Sequence, residues 1–334
     1  MFESTDFSSL FQRFNNQKIL VLGDVMIDTY LWGQVSRVSP EAPVPIVSDI
    51  AQENRLGGAA NVALNIKAMG AVPILCSVIG GDERGRLFLE LMEEQNLSDI
   101  GLVVDDARIT TQKTRVISGS RHLLRVDEEM DDFLGKKIQA QFLEIIDSLL
   151  ESGGIHAIIF QDYDKGVLTP QVIRSVIQAA KAVEVPVLVD PKFRSFDRYT
   201  GVRLFKPNYK ELMKGAKLDL KRAEIDKIGE EVIKFQTKQE IDTFLVTLSE
   251  HGVLVARDGA YVHIPAIARE IADVSGAGDT VISVAALSLV AGLPVDELAA
   301  LSNLAGGQVC EQAGVVPVDR EKLQAECLRY FKVS

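Results

Sequence analysis

Apolar positions along the chain fall into two kinds of run. KILVLGD (18–24), PILCSVIG (73–80), HAIIFQD (156–162), VPVLVD (185–190), VRLFKPN (202–208) and TFLVTLS (243–249) are short and almost continuously apolar. Such runs predict strands buried on both faces, as in a parallel sheet between two helical layers. Helical spacing fills the intervals at about 58–69, 83–95, 134–150, 170–183 and 222–237. This alternation predicts an α/β fold, with a doubly wound, mostly parallel sheet and helices on both faces. From residue 252, GVLVARDGAYVHIPA predicts a hairpin across Asp258-Gly259, and helical segments follow at roughly 277–291, 294–313 and 319–332.

Two stretches break the alternation. Residues 29–54 hold three prolines and the only tryptophan with no helical period, and residues 101–128 carry β-rich patterns such as TTQKTRVIS and RHLLRVDEE. Structureless loops of that length are uncommon, so together they predict a small antiparallel sheet standing off the main one as a lid. No repeat or linker divides the chain, which is expected to be one domain over residues 1–334.

Composition narrows the class without naming the chemistry. The 334 residues carry 36 basic and 47 acidic side chains, a net charge of −11 that would repel a nucleic-acid backbone. Cys76, Cys310 and Cys327 form no CxxC pair and suggest structural thiols in a reducing compartment. The N-terminus is acidic where a signal peptide would be basic, and the longest charge-free stretch, 280–295, is too short to span a bilayer. A cytoplasmic protein with no membrane partner is expected.

Chemistry should gather at the carboxyl ends of the strands, where Asp24, Asp162, Asp190, Asn208 and Ser249 stand. Asp and Asn also begin turns and cap helices, which is an equally good account of any one of them. The most informative segment is Asp273-Val-Ser-Gly-Ala-Gly-Asp279, leading into VISVAALSLVAG. Glycines at a helix N-terminus present backbone N–H groups to an anion, and Asp279 beside them could take a proton from a hydroxyl. Asp279 could equally be a cap. The sequence has no GxxxxGK[ST], no GxGxxG with a following acid, no HExxH, no CxxC and no GxSxG. Phosphoryl transfer is the chemistry most compatible with what remains.

These motifs resemble those of the ribokinase-like (PfkB-type) carbohydrate kinases. GAGD (276–279) after Asp273 is similar to that family's C-terminal signature, and GGAANVA (57–63) to its N-terminal one. Gly23-Asp24 and Asn208-Tyr-Lys-Glu211 match further family positions, and the likeness covers nearly the whole chain. Within the family, GDVMIDTYLWGQVSRVSPEAPVPIV (23–47), LLRVDEE (123–129), FQDYDKGVLTP (160–170) and LVDPKFRSFDRYTG (188–201) resemble the bacterial D-glycero-β-D-manno-heptose 7-phosphate kinases of lipopolysaccharide synthesis. In many species a nucleotidyltransferase domain follows that kinase, and a chain ending at Ser334 is similar to the stand-alone form.

The resemblance implies an ATP-dependent kinase acting on the C1 hydroxyl of that sugar phosphate. A ribokinase-like kinase for another sugar, sugar phosphate or nucleoside is the alternative. Asp279 is implied as the base, with Gly276, Ala277 and Gly278 forming the anion hole. Asn208, Glu211, Thr247, Ser249, Gly252 and Asn303 are implied around ATP. Glu211 would help hold Mg²⁺ through water, and Asp273 a monovalent cation such as K⁺. On the acceptor side, Asp24, Asp28, Gly57, Gly58 and Asn61 would meet sugar hydroxyls. Arg121, Arg125 and Lys192 would meet the sugar's phosphate, with Arg37, Lys113 and Arg115 as further candidates. Strand alternation puts Arg121 and Arg125 on one face. The family commonly dimerises through its lid, so a homodimer is implied.

Overall fold

The computed structural model describes residues 6–119 and 121–331. In chain order its elements begin with α1 (Phe7–Phe14), β1 (Lys18–Gly23), β2 (Val25–Val38), β3 (Pro45–Gly58), α2 (Ala59–Ala68), β4 (Val72–Gly80) and α3 (Glu83–Glu94). Next come β5 (Gly101–Asp105), β6 (Gln112–Ser118), β7 (Arg121–Glu128), α4 (Lys136–Glu151), β8 (Ala157–Gln161), α5 (Pro170–Ala182) and β9 (Val187–Asp190). Then follow β10 (Leu204–Phe205), α6 (Tyr209–Gly215), α7 (Ile225–Lys238), β11 (Thr243–Thr247), β12 (Val253–Arg257) and β13 (Ala260–Ile264). Helices α8 (Ala277–Val290), α9 (Val295–Val309) and α10 (Arg320–Phe331) close the described chain.

The apolar runs form one nine-stranded sheet in the order β13-β12-β11-β10-β9-β8-β1-β4-β5. Neighbours from β11 through β5 pair in parallel, and the β12–β13 hairpin adds two antiparallel strands at one edge. Strand periodicity explains the double burial. Ile19 and Val21 of β1 enter the core beneath α1, α2, α8 and α9, whereas Leu20 and Leu22 enter the core beneath α4, α5, α6 and α7. Helix α8 is buried almost all round against α2 and α9, as its unbroken apolar sequence requires. Asp258 and Gly259 turn the hairpin at φ 52° and 74°, the conformation of a two-residue primed turn.

The lid is a separate four-stranded sheet in the order β3-β2-β6-β7. It differs from the expected antiparallel sheet in three ways. First, β2 and β6 pair in parallel, Ile27 to Gln112 through Gly33 to Ser118, so the sheet is mixed. Second, residues 101–105 leave the lid and form the main sheet's edge strand β5. Third, β2 and β3 run from 25 to 38 and from 45 to 58, deep enough for the base of the lid to join the core. The expected strand over 202–208 shrinks to the two residues of β10, because Pro207 has no N–H with which to continue a ladder. Helix α1 was not among the expected elements, although Phe7, Leu10, Phe11 and Phe14 follow helical spacing and are buried.

Candidate active site

Asp279 lies in the first turn of α8 and is 5 % exposed. The helix starts at Gly276, which takes φ 80°, a left-handed conformation that suits glycine. A side chain there would meet Asn61 Nδ2 at 2.9 Å. Asn61, on α2, donates through that nitrogen to Asp279 Oδ2 at 2.7 Å. Gln161, the last residue of β8, donates to Oδ1 at 3.0 Å, and the Tyr163 hydroxyl donates to the same oxygen at 2.7 Å. Burial raises the Asp279 carboxyl to about 6, aided by the Asp190 charge and opposed by the Asn61 and Tyr163 hydrogen bonds and by Lys206. A carboxylate with that affinity suits proton transfer near neutral pH.

A pair of cations stands on one side of Asp279. Lys206 is buried and pairs with Asp190 at 2.9 Å. Its nitrogen lies 3.5 Å from where a Cβ on Gly278 would sit. Lys192 pairs with Glu211 and has its ammonium 5.3 Å above the Tyr163 ring. Burial works against the charge of Lys192, but Asp190 and Glu211 outweigh it and raise its pKa. Lys192, named for the sugar's phosphate, thus stands outside the lid segments, beside Glu211 and over the Tyr163 ring. Glu211 is buried and completes a capping box, its N–H donating to Asn208 Oδ1 at 2.9 Å while Glu211 Oε2 accepts from the Asn208 N–H at 2.8 Å.

A cleft of about 740 Å³ opens beyond these lysines. Asn208, Thr247, Ser249, Gly252, Ala277, Gly278 and Asn303 all line it, as expected of the nucleotide side, although Asn303 also donates to Pro265 O at 3.1 Å. Gly278 thus faces the cleft, and the N–H of Ala277 makes only a long bond of 3.4 Å to Val274 O. The first N–H groups of a helix lack intrahelical partners and form a ready anion site. Asp273 does not face this space freely, since its oxygens accept from the N–H groups of Ser275 at 2.9 Å and Gly314 at 3.1 Å. Burial raises its pKa, but those bonds outweigh burial and hold the carboxyl below the ordinary range.

The other side of Asp279 is roofed by the lid. Asp28, on β2, is buried and ion-paired with Arg115 on β6 at 2.5 Å. Gly57, opposite Met26 in the β2–β3 ladder, leaves room for that carboxylate, since a Cβ there would sit 2.2 Å from Asp28 Oδ2. Gly58 begins α2. Asp24 is a correction. Both of its oxygens are taken by backbone N–H groups, from Tyr163 at 2.9 Å, Lys165 at 3.1 Å and Val167 at 3.0 Å, so it organises the loop after β8. Losing an acceptor that serves several buried donors costs about 1–3 kcal/mol for each donor left unsatisfied.

The lid cations divide by face. Lys113 pairs with Asp127 and Glu129, each at 3.0 Å, and Arg125 with Asp127 at 2.9 Å. Cross-strand register puts Arg125 opposite Arg115, on the face toward Asp28. A β-bulge between Val116 and Ile117 then shifts the register, so that His122 falls opposite Ile117 and Arg121 opposite Ser118. His122 is near enough to Asp273 to lower its pKa, which puts Arg121, the next residue, on the other face. Arg121 and Arg125 therefore do not share a face, because a bulge breaks the period of two. Arg37 lies on the exposed outer half of β2.

Three residues of the site were not singled out from the sequence. Gln161, Tyr163 and Lys206 resemble core or turn residues inside apolar runs, whereas Asp190 was named as a strand end without a role. The usable signal was a lysine and an amide inside the otherwise apolar FKPN and IIFQD segments, where burial demands partners.

The model of the pfkB family carbohydrate kinases matches residues 16–321. The chain belongs to that family. It is an ATP-dependent sugar kinase with a ribokinase-like fold. It is 38% identical over 326 residues to the Bifunctional protein HldE of Geotalea uraniireducens, covering 97% of this chain and 66% of that protein. It is 41% identical over 314 residues to the protein of the same name from Caulobacter vibrioides, covering 93% and 64%. The chain thus spans about two thirds of the length of these relatives. A putative ribokinase from Agrobacterium tumefaciens superposes with a TM-score of 0.75 at 16% identity, over 96% of this chain and 100% of that one. Phosphofructokinase-2 from Escherichia coli, in complex with potassium, superposes with a TM-score of 0.72 at 18% identity, over 93% and 99%. Among the described residues no helix is long and apolar enough to cross a membrane.

Proposed function

We propose that this kinase transfers the γ-phosphoryl group of ATP to the C1 hydroxyl of D-glycero-β-D-manno-heptose 7-phosphate. The observation that carries the reading is the position of Asp279, in the helix turn whose Ala277 and Gly278 line the open cleft, with its carboxylate held by Asn61 of α2. ATP fills the cleft with its triphosphate toward the start of α8. The acceptor lies under the lid against Asn61, Gly57, Gly58 and Asp28. Asp279 takes the hydroxyl proton as the oxygen attacks the γ-phosphorus. Gly278 and its neighbours in the first turn of α8, with Lys206 and Lys192, balance the charge that spreads over the transferring group.

The heptose assignment draws on the likeness of residues 23–47 to heptose 7-phosphate kinases and on the identity of 38% or more to the HldE proteins. The sugar's own phosphate calls for cations beneath the lid, and Lys113, Arg115 and Arg125 face that way. Among the described residues no cluster of three acidic, His or Cys side chains could hold a metal alone. That fits Mg²⁺ carried largely by ATP oxygens and water, with Glu211 as the protein's carboxylate. Asp273 holds the 273–275 and 314 backbone together and shapes the loop where a monovalent cation would sit. A homodimer through the lid accounts for the exposed Val35, Val38, Ile50, Leu124 and Val126 on its strands.

The test is a panel of acceptors with ATP, followed by phosphorus NMR of the product. The new phosphate should appear at C1 of the heptose 7-phosphate. Faster transfer to a ribose, a hexose phosphate or a nucleoside would contradict the acceptor while leaving the kinase reading intact.

A further inference from the structure

Asp279 already holds a hydroxyl group. The Tyr163 phenol donates to Asp279 Oδ1 at 2.7 Å, which is the contact an acceptor hydroxyl must make to hand over its proton. The phenol is not placed there by a loose loop. Three successive anchors, the N–H groups of Tyr163, Lys165 and Val167 on Asp24, fix the backbone that carries it. Arg108 clamps the same loop by donating to Lys165 O at 2.7 Å, and the Tyr199 hydroxyl holds the neighbouring Asp162 at 2.8 Å. The Lys192 ammonium lies over the ring.

We infer that Tyr163 is a positioning residue that occupies the base until the sugar displaces it, so that water is not activated in the sugar's place. The inference rests on Asp279 being the base. Without such a stand-in, a water oxygen would attack the γ-phosphorus, its proton would pass to Asp279, and the bond to the β-phosphate oxygen would break to release ADP. The phenol cannot replace that water as a nucleophile, because burial and the charges of Asp279 and Asp190 hold its pKa well above the ordinary value and keep it protonated. The charged groups facing the pair are Asp190, Lys192, Lys206 and, from the lid, Asp28.

The test compares Tyr163→Phe with the unaltered chain in ATP and Mg²⁺ without sugar. ADP release should rise roughly ten- to a hundredfold, the factor one hydrogen bond to a charged group carries. With sugar present, the acid limb of kcat/KM should move to higher pH, since the lost bond is one that lowers the Asp279 pKa. A residue that only packs the loop would move neither readout in that direction. If the Phe variant does not fold, Tyr163→Leu carries the same two measurements. Either readout staying at the unaltered value overturns the inference. Asp279→Asn separates the two claims. If it abolishes transfer while Tyr163→Phe changes nothing, only the stand-in role fails, whereas wild-type turnover in Asp279→Asn removes the base on which it rests.

Discussion

The two sides of Asp279 are built from different materials. The cleft side combines backbone and small groups, among them Gly252, Ala277, Gly278, Thr247 and Ser249, with the charged Lys210, Arg222, Glu250 and Arg269, around an open volume of about 740 Å³. The lid side is made of charged side chains already paired with each other, Arg115 with Asp28, Lys113 with Asp127 and Glu129, and Lys165 with Glu129. The glycine, alanine and hydroxyl walls of the cleft ask little desolvation when a nucleotide enters. A lid of closed ion pairs must exchange partners when an anionic sugar arrives, and only a ligand with matching charges recovers what the pairs lose. On the proposed reading the cleft takes the shared co-substrate, and selectivity falls to the lid.

Four variants sharpen the contrast, and the largest effect belongs to the residue between the two sides. Asp279→Asn keeps the shape of the carboxylate and cannot accept a proton. It should lower kcat by about 10²–10⁴, the range for general bases, while ATP affinity measured by calorimetry stays within a few-fold. The wild-type kcat/KM should fall as pH drops through about 6, because the base must be ionised and its carboxyl sits at that value in the folded protein.

On the lid side, Lys113→Gln together with Arg125→Gln should raise KM for the phosphorylated sugar by about ten- to a hundredfold, given charge-assisted bonds of ~1.5–3 kcal/mol. KM for ATP should barely move. Equal losses for a phosphorylated and an unphosphorylated heptose would mean that these cations only brace the lid. Beneath the cleft residue Asn208, Glu211→Gln still suits the capping box of α6 but loses the charge opposite Lys192. The Mg²⁺ concentration for half-maximal rate should rise severalfold with helix content unchanged. An unaltered Mg²⁺ response would confine Glu211 to capping.

The smallest effect is on stability. Burial, reinforced by the Asp24 charge, raises the Asp162 carboxyl to about 7 in the folded protein. An acid held up in this way binds its proton more tightly folded than unfolded. The stabilisation is complete below the unfolded value of about 4 and is lost as pH rises toward 7. Asp162→Asn should therefore flatten the fall in Tm between pH 5 and pH 8. A Tm profile parallel to that of the unaltered chain would place the titration elsewhere.

The same contrast sets what could be read from the residues alone. The main sheet was legible because runs such as KILVLG and AIIFQ are buried on both faces and tolerate few other structures. The GAGD turn was legible because glycine spacing and an Asp at a helix start carry their own mechanism, whereas Asn61 was legible only through the resemblance of GGAANVA to a family signature. The lid was legible as β structure but not in its pairing. The parallel match of Ile27–Gly33 with Gln112–Ser118 joins segments far apart in sequence, and one bulge reverses which arginine faces inward. Asp24 looked like a ligand at a strand end until the loop after β8 was seen to close on it. Tyr163 and Lys206 gained meaning only when the topology brought the ends of β8, β9 and β10 beside α8.

On the proposed reading, Asp279 separates a nucleotide cleft from an acceptor site under the lid and exchanges the Tyr163 hydroxyl for that of the sugar. A crystal structure with a non-hydrolysable ATP analogue and D-glycero-β-D-manno-heptose 7-phosphate tests it most directly. The account predicts the sugar's C1 hydroxyl within hydrogen-bond reach of Asp279, with Tyr163 displaced and the γ-phosphate at the first turn of α8. A sugar bound away from Asp279, or a γ-phosphate outside the cleft lined by Asn208 and Gly278, would contradict it.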